Sequence, residues 1–108
     1  MVFKIRRGNE EMSFLSFDNG KAVCRVVGSM KLRVVAELKE EIVSVIEKGC
    51  NSFVFDFKET TFIDSTGLGV VIMVLRKLGK DKIRVLNLNG EVLNTFKNAD
   101  LLREFHCQ

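Results

Sequence analysis

Phe53-Val54-Phe55-Asp56-Phe57, then after one turn Phe62-Ile63-Asp64-Ser65-Thr66-Gly67-Leu68-Gly69 and an apolar run to Leu78, is the stretch that decides the fold. Its first part is rich in β-formers and is bounded by Asn51 and by Lys58-Glu59-Thr60-Thr61, so it reads as a strand closed by a turn. Its last part is a hydrophobic helix stopped by Gly79, with three N-cap-type residues ahead of it. Upstream, Leu32 to Lys48 places Val35, Leu38, Ile42, Val45 and Ile46 at steps of three and four, with charged residues opposite and Gly49 after the last turn. This predicts an amphipathic helix. Before it, Ser13–Phe17 and Lys21–Val27 flank Asp18-Asn19-Gly20, a β-hairpin that Gly28 is expected to end. Downstream lie a strand at Ile83–Leu86, a turn at Asn87–Gly90 and a short helix at Glu91–Lys97, with Val92, Leu93 and Phe96 inward. Leu101–Phe105 is either a final strand or a helical turn. The order predicts an α/β domain with a mixed β-sheet of about four or five strands, an opening hairpin followed by alternating helices and strands, and helices packed on it. Residues 13–108 form a single domain in this reading; 1–12 are an N-terminal extension, mobile or adding an edge strand as Val2–Arg7.

Composition removes several classes of function. The chain has 108 residues, room for one domain, and at 46% hydrophobic it is too apolar to be disordered. Its longest nearly unbroken apolar stretch, Leu68–Leu75, is less than half a membrane span. The start lacks the apolar segment of a secretory signal, so the expectation is a cytoplasmic protein without membrane insertion. The net charge is +3, but basic residues are interspersed with acidic ones, as in Glu37-Leu38-Lys39-Glu40-Glu41. All nine aromatics are Phe, most of them in strand-like runs that a core would take. That pattern argues against nucleic acid as a partner. Cys24, Cys50 and Cys107 are widely spaced and form no CxxC pair, so no metal site is expected. Cys24 reads as a small buried hydrophobe, and free thiols suit a reducing compartment.

Asp64-Ser65-Thr66-Gly67-Leu68-Gly69 needs a reason beyond capping. A cap is worth ~1 kcal/mol, yet each glycine inside the helix costs ~1 kcal/mol relative to Ala. Glycines at such positions imply that a surface approaches the backbone closely, either the sheet beneath or a partner outside. Leu68, Val71, Ile72, Leu75 and Leu78 form the stripe expected to face the sheet. Val70, Met73 and Val74 widen it, so the helix is either unusually buried or exposes an apolar patch around Val70 and Met73. Catalysis finds little support. A nucleophile elbow requires glycine where Ile63 stands, and the one histidine, His106, lies next to the C-terminus. Asp56 lacks the acidic companions that hold Mg²⁺. Gly67-Leu68-Gly69 lacks both the third glycine of a dinucleotide site and a Walker lysine. The reading is a binding module, not an enzyme, with no cofactor.

The strand Phe53–Phe57 followed by Phe62-Ile63-Asp64-Ser65-Thr66-Gly67-Leu68-Gly69 resembles the signature of the STAS domain, and more narrowly of bacterial anti-sigma factor antagonists. The likeness spans roughly Phe14 to Phe105, including the order of elements. It implies that Ser65 is phosphorylated by a partner anti-sigma factor with serine kinase activity. The unphosphorylated form would bind that partner and free the sigma factor, and a phosphoserine phosphatase would reset the switch. Partner contacts would centre on Asp64, Ser65, Thr66, Gly67 and Gly69. Val70, Met73 and the Gly28–Lys31 loop, with Ser29 and Lys31, would lie at the edge; Ser29 and Thr66 are secondary candidates for phosphorylation. The family commonly has Gly-x-Leu-Asp after the second strand. Here Gly28-Ser29-Met30-Lys31 places a cation near the usual acid, which implies either a complementary change in the partner or a different role. The alternative is a non-sigma STAS adapter or ligand-sensing subunit of a transport or signalling assembly.

Overall fold

A computed structural model describes the backbone of residues 2–7 and 11–107 and the side chains of residues 13–105. Ala22, Cys24 and Val26 are buried while Lys21, Val23 and Arg25 are not, the alternation of a strand with one face on a core. This strand is β3 (Lys21–Met30), which pairs antiparallel with β2 (Glu11–Asp18) across the Asn19-Gly20 turn; both turn residues have positive φ. β1 (Val2–Arg7) lies antiparallel along β2. On its other side β3 pairs in parallel with β4 (Ser52–Asp56), β4 with β6 (Ile83–Leu86), and β6 with the two-residue β7 (His106–Cys107). A seventh strand, β5 (Thr60–Ile63), pairs with the far end of β3. The expected mixed sheet is present, widened by short strands that the pattern alone does not mark.

Two local expectations are corrected. Gly28 does not end the hairpin: it sits at an irregularity in β3 with φ +87°, after which the strand continues to Met30. The distortion leaves little unsatisfied, because the Gly28 N–H donates to the Glu59 carbonyl at 3.0 Å. Thr60 and Thr61 accordingly belong to β5 rather than to the preceding turn. Thr60 is buried, and its hydroxyl donates to the Val26 carbonyl at 2.6 Å. That bond stitches β5 onto β3 where the ladder with β4 has stopped.

Three helices complete the fold: α1 (Leu32–Glu47), α2 (Ser65–Leu78) and α3 (Gly90–Asn98). Val35, Leu38, Ile42 and Val45 of α1 are buried, as the period predicts. Together with Val70, Val71 and Val74 of α2 and Val92 and Phe96 of α3, they form one cluster with Leu15, Phe53, Phe55 and Val85 of the sheet. A run of rings extends through it: Phe53–Phe55 at 4.7 Å, Phe55–Phe57 at 5.9 Å, Phe57–Phe96 at 5.7 Å and Phe96–Phe105 at 5.9 Å between centroids. Such contacts add ~0.5–1.5 kcal/mol each to simple burial. Before β7 the chain makes a 3₁₀ turn at Leu102–Glu104, so the choice left open at Leu101–Phe105 falls on a helical turn.

Candidate functional site

Parallel neighbours β3 and β5 end side by side, so the helices that follow them start from the same edge of the sheet. The Asp64 N–H donates to the Met30 carbonyl at 3.2 Å and ties the two ends together. Asp64 is the N-cap of α2, accepting from the Gly67 N–H at 3.0 Å and from the Thr66 hydroxyl. Its carboxylate also meets the backbone of Leu32, the first residue of α1. Lys31, the N-cap of α1, makes no side-chain capping bond, and the Asp64 carboxylate lies close to that helix start as well as capping its own. Partial burial works against the charge of Asp64. The bonds from the Thr66 hydroxyl and from the backbone of Gly67, Thr66 and Leu32 outweigh it and hold the carboxyl below its ordinary value.

Ser65 is exposed, and its hydroxyl has no hydrogen-bond partner among the described residues. Thr66 differs: it is half-buried and its hydroxyl is committed to Asp64. The two glycines also differ. A Cβ on Gly67 would stand 2.6 Å from Ile63 Cγ1 and 2.9 Å from the Met30 carbonyl oxygen, so the surface that approaches it is the chain's own sheet edge. Gly69 is exposed, and a Cβ there would meet nothing within 4 Å. Ser29 is half-buried within β3, in register with Phe62, rather than in a loop. Lys31 is exposed, with its Nζ 5.5 Å from the centre of the Phe62 ring.

Of the two alternatives open for α2, an unusually buried helix or an apolar patch around Val70 and Met73, the structure takes burial. Val70 is 3% exposed, and Met73 is half-buried against the core. The buried stripe of α2 is Gly67, Val70, Val71 and Val74, while Leu68, Ile72, Leu75 and Leu78 are half-buried. The reason is Gly67, whose missing side chain lets that line of the helix press onto Ile63 and Met30 and rotates the core-facing stripe. Sequence reasoning missed the two large hydrophobic residues that are exposed among those described, Leu32 at 62% and Phe62 at 38%. It also missed the groove between the starts of α1 and α2, a hollow of about 460 Å³ lined by Leu32, Val35, Ala36, Lys39, Thr66, Gly69 and Val70. The available signal was a leucine in the first turn of α1, where no core position is required.

A family model for the STAS domain matches residues 15–108. The chain belongs to the STAS domain family. No curated protein sequence matches it. Among solved structures the STAS domain is similar to the anti-sigma factor antagonist SpoIIAA in its unphosphorylated form, with a TM-score of 0.76, 22% identity, and 87% of this chain and 85% of that one covered. A structure of the Bacillus cell fate determinant SpoIIAA in the phosphorylated form is similar at a TM-score of 0.71 and 21% identity, covering 87% and 88%. An anti-sigma factor antagonist from Mycobacterium paratuberculosis gives 0.75 at 18% identity, covering 99% and 85%. A sulfate transporter family protein from Wolinella succinogenes gives 0.62 at 14%, covering 82% and 73%. At these identities the likeness establishes the fold. Among the described residues of this STAS domain no helix is long and apolar enough to cross a membrane, and no cluster of three metal-ligating side chains occurs.

Proposed function

We propose that this STAS domain is an anti-sigma factor antagonist that works in the cytoplasm by binding rather than by catalysis. The unphosphorylated form binds an anti-sigma factor with serine kinase activity and frees the sigma factor. Phosphorylation of Ser65 switches binding off, and a phosphoserine phosphatase restores it. The observation that carries this reading is Ser65 itself, exposed and without a hydroxyl partner among the described residues at the start of α2, in a fold shared with antagonists of which one is known in both phosphorylation states.

Physical chemistry makes the switch workable. Phosphoserine adds about −1.5 to −2 charge at pH 7, and a helix N-terminus tolerates an anion. The fold therefore survives. Asp64 already occupies the donors at Thr66 and Gly67, so little of the new charge is neutralised within the domain. It is met instead at the interface, where any docked surface must desolvate it. Asp64, Gly69, Thr66 and Lys31 lie around Ser65 as contact residues in this reading. Gly67 and Val70 act from beneath by holding α2 in place.

The test is capture of partners from the native cytoplasm with and without ATP, followed by phosphopeptide mapping. A kinase retained only without ATP, with phosphate on Ser65, is the expected result. Ser65→Asp should fold normally and lose at least about tenfold in partner affinity, ~1.4 kcal/mol, while Ser65→Ala binds in both conditions. A chain that captures no kinase and is never modified at Ser65 would overturn the reading. That outcome would favour an adapter or ligand-sensing subunit, with which the likeness to the Wolinella protein is compatible.

A further inference from the structure

The groove beside Ser65 has an unusual charge pattern. Its lining is apolar apart from Thr66 and Lys39, the one charged residue there among those described. Leu32, its rim residue, leaves 62% of its surface in water. Lys31 and Arg33 flank Leu32, and Arg33 lines the adjoining hollow with Ala36 and Glu37. Lys31, Arg33 and Lys39 are all exposed, and none is in an ion pair among the described residues. Of the acids nearby, Asp64 is engaged by Thr66 and Gly67 and Glu37 by another group, while Glu40, next to Lys39 in the chain, does not line either hollow. Lys31 and Arg33 also stand at the positive end of the α1 dipole, whose first turn holds no acid. Cations there oppose the dipole and weaken the free domain. An exposed leucine between misplaced cations is poor design for an isolated surface and good design for an acidic occupant.

We propose that this groove docks an acidic, amphipathic segment of the partner protein. Its apolar side chains would lie against Leu32, Val35 and Gly69, and its carboxylates would turn towards Lys31, Arg33 and Lys39. The proposal rests on the reading that this edge is the partner-binding face, and it names the chemistry of the partner. It also gives Ser65 phosphorylation a physical means of action. Thr66 and Gly69 line the groove, so a phosphate on Ser65 stands at its margin and repels an acidic segment while drawing on the same cations.

Two synthetic helical peptides with identical leucine positions, one with Glu and one with Lys at its polar positions, test this by NMR titration of the full ¹⁵N-labelled chain. The Glu peptide should give saturable shifts centred on Leu32, Ala36, Lys39 and Gly69, and salt should weaken it. The Lys peptide should bind at least about tenfold more weakly. Arg33→Glu combined with Lys39→Glu changes only exposed residues outside any described ion pair, so the fold is kept, and Glu-peptide binding should fall by at least about tenfold. Leu32→Ala should also weaken it. Absence of saturable shifts up to millimolar peptide, equal binding of both peptides, or shifts centred elsewhere would overturn the proposal. The peptides need no kinase, so the two readings can fail separately. A groove that takes the Glu peptide in a chain never phosphorylated at Ser65 removes the antagonist reading alone. A chain phosphorylated at Ser65 that ignores both peptides removes only the acidic segment.

Discussion

Gly67 and Gly69, two positions apart in one helix, answer opposite demands. The first has no space for a methyl group: Ile63 Cγ1 and the Met30 carbonyl oxygen would lie 2.6 and 2.9 Å away. The carbonyl is backbone in a paired strand and cannot yield cheaply. Gly67→Ala is therefore expected to destabilise by ~1–3 kcal/mol, even though alanine is the better helix former. Gly69→Ala meets nothing within 4 Å and should stabilise by up to ~1 kcal/mol, at the expense of the groove it lines. Urea denaturation of the two variants reads both signs, and two losses or two gains would contradict this account. In the sequence both glycines carry the same message, that something comes close. Which surface comes close is invisible there, because it depends on how far α2 is rolled onto the sheet.

At the scale of the element, α1 is charged against its own dipole. Lys31 and Arg33 stand at its positive end, Glu47 in its last turn, and its first turn has no acid. Arg33→Glu removes one unfavourable term and adds a favourable one of ~0.3–1 kcal/mol. The midpoint of thermal unfolding should rise by about 2–5 °C, while affinity for an acidic segment falls. A stabler variant with weaker binding is the signature of a surface kept for a partner, whereas a loss of stability would show that Arg33 supports the fold. The helical periods of α1 and α3 were legible from their apolar spacing. The buried stripe of α2 was not, because apolar residues surround that helix and period alone could not choose among its faces. β5 was hidden for a related reason: its burial pattern puts Thr60 and Ile63 inside and Thr61 and Phe62 outside, so it shows no period-2 alternation.

At the scale of the whole molecule, the described residues share one core, which couples the buried Cys24 thiol to global stability. Cys24 is 1% exposed, and burial pushes its thiol up to about 12. With Cys50 and Cys107 replaced by Ser, a thiol reagent near pH 8 should reach Cys24 only through global unfolding. Its labelling should then be slower than that of an unfolded thiol by the folding equilibrium constant, on the order of 10³–10⁸, and should accelerate with urea in step with stability. Labelling that ignores sub-denaturing urea would reveal a local opening instead. At this scale the sequence by itself determined the order of the hairpin, the three helices and the strands β4 and β6, because apolar period and turn chemistry are local properties written in neighbouring residues. It also determined the Asp64–Gly69 start of α2, since capping is likewise local. The tertiary structure alone decided that β3 and β5 end together, that Asp64 is tied to the end of β3 through the Met30 carbonyl, and that Leu32 and Lys39 border the same groove as Gly69. Those facts depend on pairing between segments some 30 residues apart, such as the Thr60 bond to Val26 at a separation of 34, and no local pattern records which distant partner a strand will take.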